Sequence, residues 1–390
     1  RYLSDGMIIH FYVIEMGLET DSKLENGLVD MYSKCGMLKD TQKMCDLLPF
    51  QRADVLNKKI SAYAQLGQDD VVLKLFGRMQ YDDLNQGIDT VLLVLKSCAT
   101  VEDLWIGRKI HKWIVKKKME LDLTLGNTLL NMYVKCGALE EAHEVFNEMR
   151  TRDVVSWGII IAGYAECDHG NHALRLFKRM QDEGLEPDNV VFSCVLRACG
   201  AMGSIEHGKI VHDQFLRSGL VLDSVAGNII VDMYAKCGSL QDAWKMFYAL
   251  PERTKVSWNS IISACAHHGM YHLAEHCLVE MEQKGLKPSG ATYNCIFTAC
   301  SHAGQVEEGR KFFNSMVEDD HVTPSTEHFN CVSDIFARAG CLQEAEELLQ
   351  ILPVLPSATS RTSLLTACKN HSNLCVGFEC YGDPLAQSTR

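Results

Sequence analysis

Proline is scarce in this sequence, with only eight residues among 390. Proline cannot continue the hydrogen-bond ladder of a helix, and it is common just after helix ends. Seven of the eight lie at or beside a point where an amphipathic helical pattern stops: Pro49, Pro187, Pro251, Pro288, Pro324, Pro353 and Pro356. The prolines therefore divide the chain into a series of short helical segments.

Long apolar runs are also lacking, and none approaches the roughly 20 residues that a membrane-spanning helix requires, so no membrane partner is expected. Apolar residues make up 47% of the chain and charged residues 23%, which is normal for a folded globular protein. A chain of 390 residues is too long for one ordinary core, so several domains or an elongated array are expected. The net charge of −12 argues against a general polyanion binder, although it allows a local basic stripe.

The seventeen cysteines include no Cys-x-x-Cys spacing, and they lie within regular helical phrases, often beside alanine or glycine. This context indicates small buried or half-buried thiols in a reducing compartment rather than a disulfide framework. No metal and no other cofactor is expected.

One six-residue phrase recurs at a constant interval. MYSKCG at 31–36, MYVKCG at 132–137 and MYAKCG at 233–238 are each 101 residues apart, and Cys98, Cys199 and Cys300 show the same spacing. A single compact core gives no reason for such an interval, whereas an array of repeats does.

Each repeat is predicted to be two short amphipathic helices joined by a glycine. In residues 224–254, AGNIIVDMYAKC precedes Gly238 and SLQDAWKMFYAL follows it. Ile230 and Tyr234 are four residues apart and share one face of the first helix. Ser239 is predicted to cap the second helix. The unit is therefore a helix–turn–helix hairpin.

Ten complete units follow one another without gaps. Their lengths cycle through 31, 35 and 35 residues, with 36 and 32 in the last two, and the cycle accounts for the 101-residue interval. Their bounds are 22–52, 53–87, 88–122, 123–153, 154–188, 189–223, 224–254, 255–289, 290–325 and 326–357. Residues 1–21 are predicted to be the second helix of a partial unit, and residues 358–390 to begin an eleventh hairpin before the pattern is lost.

One hairpin cannot bury its apolar face alone, so neighbouring hairpins must stack. We therefore expect an all-α fold, a right-handed α-solenoid. The tetratricopeptide repeat is the nearest competitor, but its constant period does not explain the cycle of lengths.

Three positions of the aligned units carry recurring polar residues. The fifth residue is asparagine in seven of the ten units: Asn26, Asn57, Asn127, Asn228, Asn259, Asn294 and Asn330. The last residue is polar in every unit except the one that ends at Gly87: Arg52, Asp122, Asp153, Asp188, Asp223, Thr254, Ser289, Ser325 and Ser357. Residue 13 of the four short units is basic: Lys34, Lys135, Lys236 and Arg338.

These positions admit two interpretations. Stacked hairpins would align the asparagine amides along one groove, where each offers a donor and an acceptor, and the cations would suit a phosphodiester backbone. Alternatively, the asparagines cap helices or satisfy the last carbonyls of the preceding hairpin, and a lysine late in a helix merely opposes the macrodipole.

In its phrases and unit lengths the chain resembles plant pentatricopeptide-repeat proteins of the PLS subclass. The resemblance covers residues 1–373 and rests on MYxKCG, VSWNSIISACAHHG, VVSWGIIIAGYAECDHG and VFSCVLRACGAMGSIEHGKIVH. It implies binding of single-stranded RNA at one base per repeat, with residue 5 and the last residue of the same unit reading the base edge. It also implies a location in the mitochondrion or the chloroplast.

The resemblance further implies a target sequence. In the family, asparagine with aspartate favours uridine, asparagine with serine or threonine favours cytidine, and Ser193 with Asp223 is weakly guanine-leaning. The implied RNA is pyrimidine-rich, with a C-rich 3′ half.

Residue 2 in the family is usually an aliphatic side chain that sandwiches bases. Four consecutive units fit this pattern, with Val155, Val190, Val225 and Val256, whereas other units have Lys23, Asp54, Asp89 and Glu327 there. Leu92 and Gly158 supply no reading side chain at residue 5. We therefore expect residues 154–289 to bind RNA best.

No enzyme is expected. Members of the subclass often carry an E motif and then a DYW region that resembles zinc cytidine deaminases, with His-x-Glu and Cys-x-x-Cys. Neither motif occurs here, nor does a Walker loop, Gly-x-Ser-x-Gly or His-Glu-x-x-His. SLLTACKNHSN at 363–373 begins like an E motif, but Arg361 stands where tryptophan is usual, and Cys375 and Cys380 lie in an irregular tail. A truncated or degenerate E motif is predicted.

The leading hypothesis is a specificity factor for C-to-U RNA editing, with a DYW-type deaminase or another editing factor supplied in trans. A second hypothesis keeps RNA binding but assigns transcript stabilisation, splicing or translation. A third is a protein-interaction solenoid or truncated paralogue without RNA affinity, which the net charge of −12 and the acidic residues at position 2 favour.

Overall fold

The computed structural model describes residues 2–16, 24, 27–28, 31–32, 53–81, 87–318, 322–350, 362 and 366. These residues form nineteen helices and contain no strand. The expected all-α class is therefore confirmed. The chain divides into two compact units, Arg1–Val191 and Phe192–Arg390.

Nine helices among the described residues precede this division. They are α1 Tyr2–Glu15, α2 Ala53–Gln65, α3 Asp69–Tyr81, α4 Ile88–Val101, α5 Leu104–Lys116, α6 Leu123–Lys135, α7 Leu139–Glu148, α8 Val154–Glu166 and α9 Gly170–Asp182. Helix α10, Asn189–Ala201, contains the division.

Nine further helices among the described residues follow it. They are α11 Ile205–Arg217, α12 Ser224–Lys236, α13 Leu240–Ala249, α14 Lys255–His267, α15 Tyr271–Gln283, α16 Gly290–Ala303, α17 Val306–Glu318, α18 Thr326–Arg338 and α19 Leu342–Gln350. None of the described helices is long and apolar enough to cross a membrane.

Within each unit the helices pack as a series of hairpins. A first helix contacts the second helix of its own hairpin and also the first helix of the next hairpin. In one unit α2, α4, α6 and α8 form such a row of first helices, and in the other α12, α14, α16 and α18 do. Side chains between these helices are fully buried, including Val94, Leu129, Ile160, Ile230 and Ile262. Each such burial contributes about 1.5–3 kcal/mol to the free energy of folding.

The turn inside each hairpin requires a left-handed backbone. Gly137 and Gly238, the last residues of their MYxKCG phrases, have φ angles of 70° and 78°. Glycine adopts this region without the clash that a Cβ introduces, which explains why the phrase ends in glycine. Three described residues with side chains occupy the same region, Glu102 at 58°, Lys118 at 52° and Asp168 at 60°.

The two sets of cysteines that recur every 101 residues contact each other. The thiol of Cys136 in MYVKCG lies 3.8 Å from the carbonyl oxygen of Cys98, and Cys237 lies 3.5 Å from that of Cys199. The thiol of each MYxKCG cysteine therefore contacts the backbone carbonyl of a cysteine in the first helix of the preceding hairpin. The described cysteines are free thiols that are buried or half-buried, as predicted, except for exposed Cys167.

One predicted cap is wrong in detail. Ser239 does occupy the N-cap position of α13, but its side chain makes no capping bond. Its hydroxyl donates instead to the Asp242 carboxylate at 2.8 Å. The hydroxyl is thus directed at the charged carboxylate one turn away, and its oxygen accepts no backbone N–H of α13.

Candidate nucleic-acid interface

The last residue of each described repeat is the N-cap of the next first helix. This holds for Asp122, Asp153, Asp223, Thr254, Ser289 and Ser325, which precede α6, α8, α12, α14, α16 and α18. The Asp122 carboxylate accepts from the Leu125 amide at 2.8 Å, and Asp188 accepts from the Val191 amide at 2.9 Å. Capping alone accounts for the short polar side chains at this position.

The fifth residue and the last residue of a repeat lie together in two repeats. The Asn127 amide Nδ2 donates to the Asp153 carboxylate at 3.3 Å, and Asn228 Nδ2 donates to Thr254 Oγ1 at 3.4 Å. Both partners sit at the start of stacked first helices, so each pair bridges two consecutive hairpins. In these two repeats, the residue-5 asparagine of one first helix and the N-cap residue of the next are thus joined by a hydrogen bond.

The other residue-5 asparagines differ in their partners. Asn294 Nδ2 donates to Glu327 Oε2 at 3.3 Å, so its partner is residue 2 of the next repeat rather than the cap. Asn228 is buried, with 9% of its surface exposed, and its Oδ1 has no hydrogen-bond partner among the described residues. Asn57, Asn127, Asn259, Asn294, Asn330 and Ser193 are half-buried.

A third polar position was missed by the sequence analysis. The hydroxyl at residue 3 of the following repeat donates to the residue-5 amide oxygen in three repeats: Thr90 to Asn57 at 2.7 Å, Ser156 to Asn127 at 2.6 Å and Thr292 to Asn259 at 2.7 Å. The signal was present, because DVVS and SGAT have the spacing of a capping box, with the cap and its partner three residues apart.

The residue-2 valines are exposed. Val155, Val190, Val225 and Val256 keep 56%, 61%, 62% and 59% of their surface accessible. Four apolar side chains left in solvent at one repeat position are available for an apolar ligand face. Asp89 and Glu327, at the same position in other repeats, are exposed as well.

The residue-13 cations are exposed but paired. Lys135 contacts the Glu166 carboxylate at 3.4 Å, Lys236 contacts Asp232 at 2.8 Å and Arg338 contacts Asp334 at 2.7 Å. A phosphate group would have to compete with these carboxylates, although exposed pairs of this kind are worth only about 0–1 kcal/mol.

The cap carboxylate of Asp153 is held ionised. Burial acts to raise its pKa, but hydrogen bonds from Ser156 and Asn127 outweigh burial, and the pKa is lowered from its ordinary value of 3.8. The histidines His169, His172, His267 and His268, at or beside the hairpin turns, are exposed. Within the part of the chain that the structure describes, no group of three or more His, Cys, Asp or Glu side chains could hold a metal ion.

Some predicted residues lie outside the described residues, namely Asn26, Lys34, Arg52 and Ser357. The same is true of Cys375 and Cys380 and of nearly all of the E-like tail. Their roles stay predictions.

Comparison with known protein families gives matches along most of the array. A model described as "PPR repeat" matches residues 60–84, 127–154, 228–253, 291–321 and 327–353. A second model, "PPR repeat family", matches residues 152–201 and 253–302. These matches follow the hairpins described above.

Two proteins of Arabidopsis thaliana are similar to the chain over nearly its whole length. A mitochondrial pentatricopeptide repeat-containing protein is 32% identical over 378 residues, which cover 97% of this chain and 68% of the relative. A second pentatricopeptide repeat-containing protein is 34% identical over 374 residues, covering 95% of this chain and 66% of the relative. The chain thus spans about two thirds of the length of these relatives.

A solved structure shares the fold. The pentatricopeptide repeat protein PPR10 of maize, in complex with an 18-nucleotide psaJ RNA element, aligns with a TM-score of 0.75 and 18% identity. The alignment covers 95% of this chain and 57% of the PPR10 chain. The stacked hairpins, the repeat matches and the relatives agree: the chain belongs to the pentatricopeptide-repeat family.

Proposed function

We propose that the chain binds single-stranded RNA in a sequence-specific manner through the first-helix starts of each unit. The observation that carries this proposal is the contact of Asn127 with Asp153, repeated by Asn228 with Thr254, which joins residue 5 to the last residue of the same repeat. An amide beside a carboxylate or hydroxyl provides donors and acceptors of the kind that read base edges. The RNA-bound state of PPR10, which has the same fold, supports this assignment.

The exposed valines fit the same function. A base has two apolar faces and a polar edge, so a site for it needs aliphatic or aromatic contacts beside the polar group. Val155 is the second residue of the helix that Asp153 caps, and Val256 is the second residue of the helix that Thr254 caps. Each cap therefore has an exposed valine two residues away.

The finer proposal is a specificity factor for C-to-U editing of organellar transcripts, of the PLS subclass, with the deaminase supplied in trans. The target is pyrimidine-rich with a C-rich 3′ half. Relatives named as mitochondrial support an organellar location. Loss of the gene should then leave one organellar cytidine unedited. Normal editing at every site would reject the editing role and leave transcript stabilisation, splicing or translation.

Selection from a random single-stranded RNA pool at stated salt tests the binding proposal. A pyrimidine-rich motif should be enriched, and Asn127→Ala or Asn259→Ala should each relax selection at one nucleotide. A protein-interaction solenoid is the second candidate, favoured by the ion pairs of Lys135, Lys236 and Arg338. It predicts weak binding that disappears at physiological salt and no enriched motif.

A further inference from the structure

The residue-3 hydroxyls join two repeats. Thr90, Ser156 and Thr292 are buried, with 4%, 0% and 0% of their surface exposed. Each belongs to the first helix of one repeat and donates its proton to the residue-5 asparagine of the preceding repeat, at 2.6 to 2.7 Å. Buried hydroxyls need a partner, and here the partner is the proposed base-reading amide.

The Thr292 hydroxyl has its shortest contact with the asparagine, while Ser289 Oγ lies farther away, at 3.1 Å. The backbone amide of Ser289 donates to Thr292 Oγ1 at 3.0 Å, so the oxygen acts as an acceptor toward its own cap. The proton of Thr292 is then directed at Asn259 Oδ1 at 2.7 Å. This bond occupies one lone pair of the amide oxygen and fixes the orientation of the amide group.

Asn127 is held at both ends. Its Oδ1 accepts from Ser156 while its Nδ2 donates to the Asp153 carboxylate at 3.3 Å. Ser156 Oγ also lies 2.8 Å from that carboxylate, so its one proton is shared between the amide oxygen and the cap. The cap, the amide and the hydroxyl are therefore a single hydrogen-bonded group.

Two repeats lack this arrangement and provide a natural contrast. Ser257 Oγ accepts a hydrogen bond from the Thr254 backbone N–H at 3.0 Å, just as Thr292 Oγ1 accepts from Ser289. In this repeat, however, Asn228 Oδ1 has no hydrogen-bond partner among the described residues. After Asn294 the third residue is His328, whose Nε2 lies 2.9 Å from the Gly290 carbonyl, and Asn294 Oδ1 also has no partner among the described residues.

We propose that the residue-3 hydroxyl is a positioning residue for base selection by the preceding repeat, an inference that rests on the proposed RNA-binding function. Thr90, Ser156 and Thr292 fix which edge of the Asn57, Asn127 and Asn259 amide faces a base. In each of these three repeats, base selectivity is thus set by residue 5, by the last residue and by the residue-3 hydroxyl, and the hydroxyl belongs to the following repeat.

Thr292 gives the sharpest test, because its own repeat also has an asparagine at residue 5. Asn259→Ala and Asn294→Ala first assign the nucleotide that each repeat reads, by affinity for RNAs changed at one base. Thr292→Val replaces the hydroxyl by a methyl group of similar size. It should reduce discrimination roughly three- to tenfold, the worth of one hydrogen bond, at the Asn259 nucleotide and leave the Asn294 nucleotide unchanged. Thr292→Ser should restore the discrimination.

Ser257→Ala is the matched control. It removes the same capping contact from a first helix but no bond to a residue-5 amide, so base discrimination by the 224–254 repeat should not change. If circular dichroism shows that Thr292→Val is unfolded, Thr90→Val provides the same test. Asn57→Ala then identifies the nucleotide at which discrimination should decrease. Unchanged discrimination at the Asn259 nucleotide in folded Thr292→Val would overturn the inference alone. The absence of any selected motif for the unaltered chain would overturn both this inference and the proposed function.

Discussion

The imidazole Nδ1 of His111 lies 2.9 Å from the hydroxyl oxygen of Tyr133, the tyrosine of MYVKCG. The same contact recurs at 2.9 Å between His212 and Tyr234 and at 2.7 Å between His10 and Tyr32. In each case the rings meet edge to face and the partners are 22 residues apart. The second helix of one hairpin is thus joined to the first helix of the next.

This contact should make stability depend on pH. Burial lowers the pKa of His111 and of His212 below the ordinary value of 6.5, so both rings bind a proton less readily in the folded protein than in the unfolded chain. The unfolded chain binds protons at the ordinary pKa, and it therefore binds more protons than the folded state below about pH 6.5. The free energy of unfolding should decrease as the pH falls through this range.

The double variant His111→Gln, His212→Gln should show a shallower decrease. Urea unfolding at several values between about pH 5 and 8 measures the slope. Equal slopes for the variant and the unaltered chain would show that other groups cause the dependence. Tyr133→Phe, which keeps the aromatic ring, separates the loss of the hydroxyl from the loss of packing.

Gly163 marks a close approach between consecutive hairpins. A Cβ added there would lie 2.8 and 2.9 Å from the two Cγ atoms of Val134 and 3.2 Å from Leu139 Cδ2. Because valine is stiff about χ1, Val134 cannot withdraw easily. Gly163→Ala should destabilise the fold by about 1–3 kcal/mol in urea unfolding.

Gly158→Ala is the control on the same helix. Its Cβ would meet only Val191 Cγ2, at an ordinary 3.5 Å. Alanine is the better helix former by about 1 kcal/mol, so this variant should be as stable as the unaltered chain or more so. A Gly163→Ala protein as stable as Gly158→Ala would contradict the close packing.

Glu102 occupies a position that favours glycine. Its φ is 58°, and Gly203 and Gly304, which stand 101 and 202 residues later, have φ angles of 63° and 67°. An L-residue with a Cβ pays about 1–2 kcal/mol in this region. Glu102→Gly should therefore raise the melting temperature, and Gly203→Glu should lower it. Calorimetry measures both melting temperatures. A lower melting temperature for Glu102→Gly, or a higher one for Gly203→Glu, would contradict the shared turn geometry.

Asp153 should contribute to stability as a cap whether or not RNA binds. Asp153→Ala removes the acceptor for the Ser156 amide, which lies 2.9 Å away, and should cost about 1 kcal/mol, whereas Asp153→Ser should cost much less. The pKa of Asp153 is lowered, so its contribution is present above the ordinary value of 3.8 and lost as the pH falls through the folded pKa. Thermal unfolding in the absence of RNA measures both effects.

The sequence was sufficient for the hairpins because their determinants are local. Gly137 and Gly238 fix the turns, and the positions of Ile230 and Tyr234 define the buried face of a helix. The partners of Lys135 could not be foreseen, since Glu166 lies 31 residues away and meets it only when hairpins stack. The residue-3 hydroxyls were visible in the pattern, but the bond from Thr292 to Asn259 requires the spacing between two packed helices.

The N-cap of each first helix belongs to the preceding repeat, and this affects how such an array can be rearranged. A repeat that is duplicated or moved brings with it the cap for whichever repeat follows, as Asp122 does for α6 and Ser289 for α16. Any repeat ending in aspartate, serine or threonine can therefore supply the N-cap of its successor. The repeat that ends in Gly87 brings no side-chain cap for its successor, because Gly87 occupies the N-cap of α4 without a side-chain hydrogen bond.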